Sequence, residues 1–169
     1  LTGQGIASVS GSVTLASAST TGTSAASSLT LGGVVSAPSA LTIVGPGSVT
    51  ASNAGNDFSA VTVSGAGSVS LRDTNDVSIN AATVSGALSV QAGGTVTVAG
   101  AISAAGTGDA IVLSGTRFVN SVGASALSAA NGRWLVWSSN ANPFGGATPD
   151  VRNGLVYDFK QYGALFGVT

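Results

Sequence analysis

A three-residue phrase, apolar, then Ser or Thr, then apolar, returns along this chain about every twenty residues, and that recurrence restricts the fold before any motif is considered. One series runs from Leu29-Thr30-Leu31 through Val49-Thr50-Ala51 and Val69-Ser70-Leu71 to Leu88-Ser89-Val90 at a nearly constant step. A second links Val77-Ser78-Ile79 to Val96-Thr97-Val98, and a third links Leu41-Thr42-Ile43 to Val61-Thr62-Val63. Alternation at period two sends the outer residues of each phrase to one face and the hydroxyl residue to the other, so each short strand has one dry side. Glycine-rich corners such as Gly32-Gly33, Gly45-Pro46-Gly47, Gly65-Ala66-Gly67 and Gly93-Gly94 separate the phrases, as a chain that turns after every few residues requires.

Taken in order, the phrases give three strands per turn. One coil holds Leu41/Ile43, Val49/Ala51 and a strand near Phe58; the next holds Val61/Val63, Val69/Leu71 and Val77/Ile79. Two more follow through Val84, Leu88/Val90 and Val96/Val98, then Ile102, Ile111/Leu113 and Phe118. Equivalent strands lie one over another, which predicts an all-β fold, a parallel β-helix (solenoid) with about three short strands per 19-20 residue coil. The general preference for right-handed crossovers makes it right-handed. Roughly six or seven coils at about 4.8 Å make a rod of about 30 Å. The first two dozen residues fit the period less well, and a shorter or looped coil is expected there.

Composition then removes function classes. With 7% charged residues and a formal net charge of -1, the chain has no field with which to attract nucleic acid or acidic lipid. A 44% hydrophobic content places it among folding rather than disordered chains. Zero Cys and zero His exclude disulfides, thiol chemistry, Cys-ligated metal and the commonest general base; no cofactor and a non-enzymatic role are expected, with a polysaccharide-active β-helix enzyme using Asp57 and Asp76 as the alternative. Gly and Ser interrupt every apolar run, so no membrane-spanning helix, and no membrane insertion, is expected either. Leu1 is not followed by a basic and apolar leader, which predicts a processed product or a segment of a larger protein.

A composition shift falls near Asn131. Both Trp, both Tyr and three of the five Phe lie beyond it, together with Arg133, Arg152 and Lys160. An open solenoid must close its last coil, and terminal repeats are atypical for that reason. The expected division is therefore a β-helix shaft over 1-130 and an aromatic-rich C-terminal cap or junction over 131-169.

The tail carries a specific likeness. Gly132-Arg133-Trp134-Leu135-Val136-Trp137-Ser138-Ser139, Asn142-Pro143, Gly145-Gly146 and Tyr157-Asp158-Phe159-Lys160-Gln161-Tyr162-Gly163 resemble a segment of filamentous-haemagglutinin-like exoproteins of Gram-negative bacteria, at the end of the β-helix shaft just before repeats of the YDG/MBG type. The resemblance implies a secreted or outer-surface adhesin of the two-partner secretion type, exported through an outer-membrane transporter and serving adhesion, aggregation or biofilm. The family's amino-terminal secretion domain is not in this sequence, and only a short run follows Gly163. Surface or matrix glycans are the partners it implies, and an open-ended solenoid can also associate end to end into filaments.

Two groups of residues are candidates for chemistry. Asn56-Asp57-Phe58-Ser59 and Asn75-Asp76-Val77-Ser78 repeat one pattern at an offset of 19, which would stack Asp57 on Asp76 one coil apart. Two carboxylates that close form a cation site or a glycosidase-like pair, or else the two patterns are a ladder of turn residues bonding to nearby backbone N–H groups, with Arg72 and Asp73 either balancing the local charge or forming a solvated turn. Trp134, Trp137, Tyr157 and Tyr162 form either a glycan-stacking platform or the packing of the cap. Thr21-Gly22-Thr23 and Thr95-Val96-Thr97 have the Thr-x-Thr form of ice-binding solenoids, with β-propensity on a solvated face as the plainer reading.

Overall fold

The computed structural model describes residues 2–3, 5–158 and 166. Among them there are fifteen strands and no helix, and hence no helix long and apolar enough to cross a membrane. In chain order the strands are β1 (Thr2–Gly3), β2 (Ile6–Val9), β3 (Val13–Thr14), β4 (Ser19–Thr23), β5 (Ser28–Leu31), β6 (Val35–Val44), β7 (Ser48–Ala51) and β8 (Asp57–Ala66). They continue as β9 (Val69–Asp73), β10 (Val77–Val84), β11 (Leu88–Ala92), β12 (Thr95–Val98), β13 (Ile102–Gly115), β14 (Arg117–Asn120) and β15 (Leu127–Ser138). All of the pairings are parallel, and the chain winds a β-solenoid of about 6 turns.

Each series read from the sequence is a hydrogen-bonded ladder. Leu29 pairs with Val49, Val49 with Val69 and Val69 with Leu88. Leu41 pairs with Val61 on a second face, and Val77 with Val96 on a third. The inward residues of these phrases are sealed: Leu29, Ile43, Val49, Val69, Leu88 and Ile111 are all buried. Long strands carry the chain around a corner from one face to the next. Within β6, Val35 and Ser36 pair with β3 while Leu41 to Val44 match Val61 to Ser64, and the ladder slips at Pro38, which has no N–H to give. Glycine is required where coils touch most closely: a Cβ at Gly100 would lie 1.7 Å from the Asn80 carbonyl oxygen of the preceding coil.

Two expectations change. The N-terminal coil is longer than its neighbours rather than shorter or looped. Ala7 pairs with Leu29 and Val13 with Val35, a wider step along the chain than that from Leu29 to Val49, and the Ser/Thr-rich run between contains β4. Thr21 and Thr23 are buried, so they form no exposed ice-binding rank; Thr21 puts a hydroxyl where Ile43 stands in the next coil, which hid the register.

The shaft also crosses the expected boundary between 130 and 131. β15 stays in register with β13 as far as Ser138, with Trp134 on Ile111 and Val136 on Leu113, and Val151 bridges Val119 on the third face. The shift to aromatic residues therefore begins inside a coil. Trp134 and Val136 are partly buried against the core below them, and larger side chains there compensate for weaker cover. The phrase had also become harder to read, because the ladder step lengthens: Leu88 pairs with Ile111 and Ile111 with Trp134, each further along the chain than Val69 is from Leu88.

Candidate functional site

The buried Asn and Asp side chains of the chain sit at corners of the coil, beginning with the corner that follows β7 and β9. Asn56 is fully buried and all of its side-chain polar atoms are used. Its Oδ1 accepts the Val35 N–H from the coil before (2.8 Å), and its Nδ2 donates to the Ala51 carbonyl (2.9 Å) and to the Arg72 carbonyl of the coil after (3.0 Å). One amide thereby joins three successive coils. At the same corner one coil later the buried polar residue is Asp73, whose carboxylate accepts the backbone N–H groups of Phe58 and Asn75. In the last coil Asp150 does the like for Phe118: its Oδ1 accepts the Phe118 N–H, and also the Ser138 hydroxyl and the Asn140 amide. Asn120 serves the next corner, after β14, where its Oδ1 accepts from the Val122 and Gly123 N–H groups and its Nδ2 donates to the Gly123 and Arg152 carbonyls.

Asp57 does not stand over Asp76. Ser78 pairs with Ala60, an offset of 18 rather than 19, which brings Asn75 level with Asp57. Asn75 Nδ2 donates to Asp57 Oδ1 (3.1 Å), while Asp76 Oδ1 accepts the Thr95 N–H from the next coil. Nor are the two Asn equivalent, for Asn56 is buried and Asn75 exposed. Among the described residues no group of three Asp is placed to hold a metal ion. The pattern is a ladder of turn residues whose side chains bond to backbone and to one another across coils.

The aromatic candidates divide between two environments. Trp134 continues the inward column above Ile111 and packs on the core. Trp137 stands on Ser114 and faces outward, where it meets the Phe166 ring edge-on at 6.0 Å. It lines a cleft of about 130 Å³ with Ser114, Thr116, Ser139 and Phe166. Its indole N–H is buried without a partner among the described residues. The Arg152 guanidinium lies 5.3 Å from the Tyr157 ring and 5.0 Å from that of Phe144, clamped between them, and donates to the Tyr157 hydroxyl. Tyr162 lies outside the described residues.

The sequence motifs take in neither Asn120 nor Asp150, and Asp73, which beside Arg72 reads as part of a solvated turn, is instead buried. A signal for Asp73 and Asn120 was present, since each takes the next inward place of its strand after a buried apolar residue, Leu71 and Phe118, where a side-chain acceptor can meet the N–H groups of the turn. No protein-family model, curated protein or solved structure matches the chain.

Proposed function

We propose that the chain is a structural shaft segment of a secreted bacterial surface adhesin, a non-enzymatic spacer on the outside of a Gram-negative cell. The observation that carries the reading is the continuity of the three ladders: coil follows coil with no inserted domain and an unbroken aliphatic core. Such a stack is held by backbone bonds between coils and resists shortening. Its few polar anchors support the same role, because Asn56, Asp73, Asn120 and Asp150 spend their hydrogen bonds on neighbouring coils rather than on a cleft. The likeness of the tail to filamentous-haemagglutinin-like exoproteins adds the cellular setting, with export through an outer-membrane transporter and service in adhesion, aggregation or biofilm.

The reading is tested by exchange. The parent gene product is expressed with this segment replaced by an unrelated β-solenoid of the same number of coils, and surface display and cell–cell aggregation are compared with the original. A spacer tolerates the exchange. Loss of aggregation with display intact would place recognition in this segment's own residues and overturn the spacer role.

A further inference from the structure

Asp73 ends β9 and is 3% exposed, yet among the described residues no cation pairs with it. The one salt bridge among the described residues joins Arg133 to Asp109. Arg72, its chain neighbour, alternates to the outward side of β9 and is exposed, and what Arg72 offers the interior is its backbone carbonyl, held by Asn56. Negative charge faces Asp73 from the other elements at this corner: Asp57 opens β8 and Asp76 lies in the turn after β9. The carboxylate itself joins two coils, since it accepts from the Phe58 N–H of the coil before and from the Asn75 N–H of its own.

We propose that this corner is an acid-tightened joint: uptake of a proton by Asp73 strengthens the hold of one coil on the next, so the solenoid grows more stable as the pH falls from neutrality toward the ordinary Asp range. A buried anion with like charges on two sides and no counter-ion takes up a proton more readily than an exposed one does. Burial is the main force raising the Asp73 carboxyl above its usual range, Asp57 and Asp76 add to it, and the two N–H bonds oppose it. In the window between the unfolded and folded values the folded chain holds more protons than the unfolded chain. Stability therefore rises as pH falls through that window and is lower and level above it. The chain contains no His, and all six of its acidic residues are Asp, so neither a histidine nor a glutamate masks the response.

The joint is tested by urea unfolding at fixed ionic strength from about pH 7 down to about pH 4.5, with the carboxyl carbon of Asp73 followed by NMR over the same range. The midpoint of the native chain moves to higher urea on acidification, the folded-to-unfolded ratio gaining at most about tenfold per pH unit, which is the limit for one proton. Asp73→Asn removes the slope. Should that variant fail to fold, Asp57→Asn with Asp76→Asn keeps Asp73 in place and shows a shallower slope, because two repelling charges are gone. A midpoint that falls or stays level, an Asp73→Asn variant that keeps the native slope, or an Asp73 carbon titrating at the ordinary Asp value would overturn the joint.

Discussion

Asn56 Oδ1 accepts the backbone N–H of Val35 across the boundary between two coils, at 2.8 Å and with both residues fully buried. Because the same side chain donates to the Ala51 and Arg72 carbonyls, its removal strands one N–H and two C=O groups away from water. Asn56→Ala is expected to cost about 3 kcal/mol, toward the upper end for a buried polar network. Asn56→Asp does no better at neutral pH, since a carboxylate cannot donate to the two carbonyls and brings an unpaired charge into the core. Urea midpoints of the two variants against the native chain check both statements; an Asp variant as stable as the native chain would show that the amide's donations carry no weight.

The close approach of coils makes some glycines irreplaceable and leaves others free. A Cβ at Gly100 would overlap the Asn80 carbonyl oxygen, a backbone atom rather than the end of a side chain that could swing away, whereas a Cβ at Gly11 meets nothing within 4 Å and carries no positive φ. Gly100→Ala is expected to lose about 3 kcal/mol or to fail to fold, while Gly11→Ala is neutral or gains a few tenths through the unfolded chain. Gly65 lies between them, with open space around it but a φ of +70°, and Gly65→Ala costs about 1 kcal/mol. Thermal unfolding of the three variants orders them, and a Gly100→Ala chain as stable as Gly11→Ala would contradict the contact.

What could be read in the sequence was governed by the regularity of the coil. Between Leu29 and Val98 the step is nearly constant and the inward positions of the phrases are aliphatic, so the ladders Leu29 to Val49 and Val77 to Val96 were legible. The first coil was obscured because Thr21 occupies an inward place, and the last because its strands are set further apart along the chain. The candidate site was legible only as chemistry. Asn and Asp were recognisably corner residues, but a one-position slip at Ser78 and Ala60 decides that Asp57 meets Asn75 instead of Asp76. Such slips arise from the way a bent strand negotiates a corner, and period-two alternation carries no information about them.

Surface charge contributes little to this fold. Arg133 and Asp109 form an ion pair on adjacent coils, both exposed, and the contact keeps the Arg133 guanidinium charged more firmly than usual. Water and salt screen it, and two side chains must be ordered to make it. Arg133→Ala is expected to leave the thermal midpoint unchanged within error, at low and at high salt alike. A clear loss confined to low salt would show that the pair matters to the joint between β13 and β15.

Phe58 is the largest fully buried side chain and stacks on Ala37 of the coil before, a large residue over a small one in a core otherwise built mostly of Val, Leu, Ile and Ala. Phe58→Ala opens a cavity between those coils and is expected to cost about 4 kcal/mol, and Phe58→Leu about 1 kcal/mol. In a stack each coil is coupled only to its neighbours, so a defect at one level weakens the coupling between the parts on either side. Both Trp lie far beyond the defect, at 134 and 137, so their fluorescence reports the C-terminal coils alone, while circular dichroism reports every strand. The two probes are expected to give one shared midpoint in the native chain. In Phe58→Ala the dichroism begins to fall at lower denaturant while the fluorescence transition stays near its native position. Coincident transitions in that variant would mean that the solenoid unfolds as one unit despite the cavity, and that coupling between coils extends well past nearest neighbours.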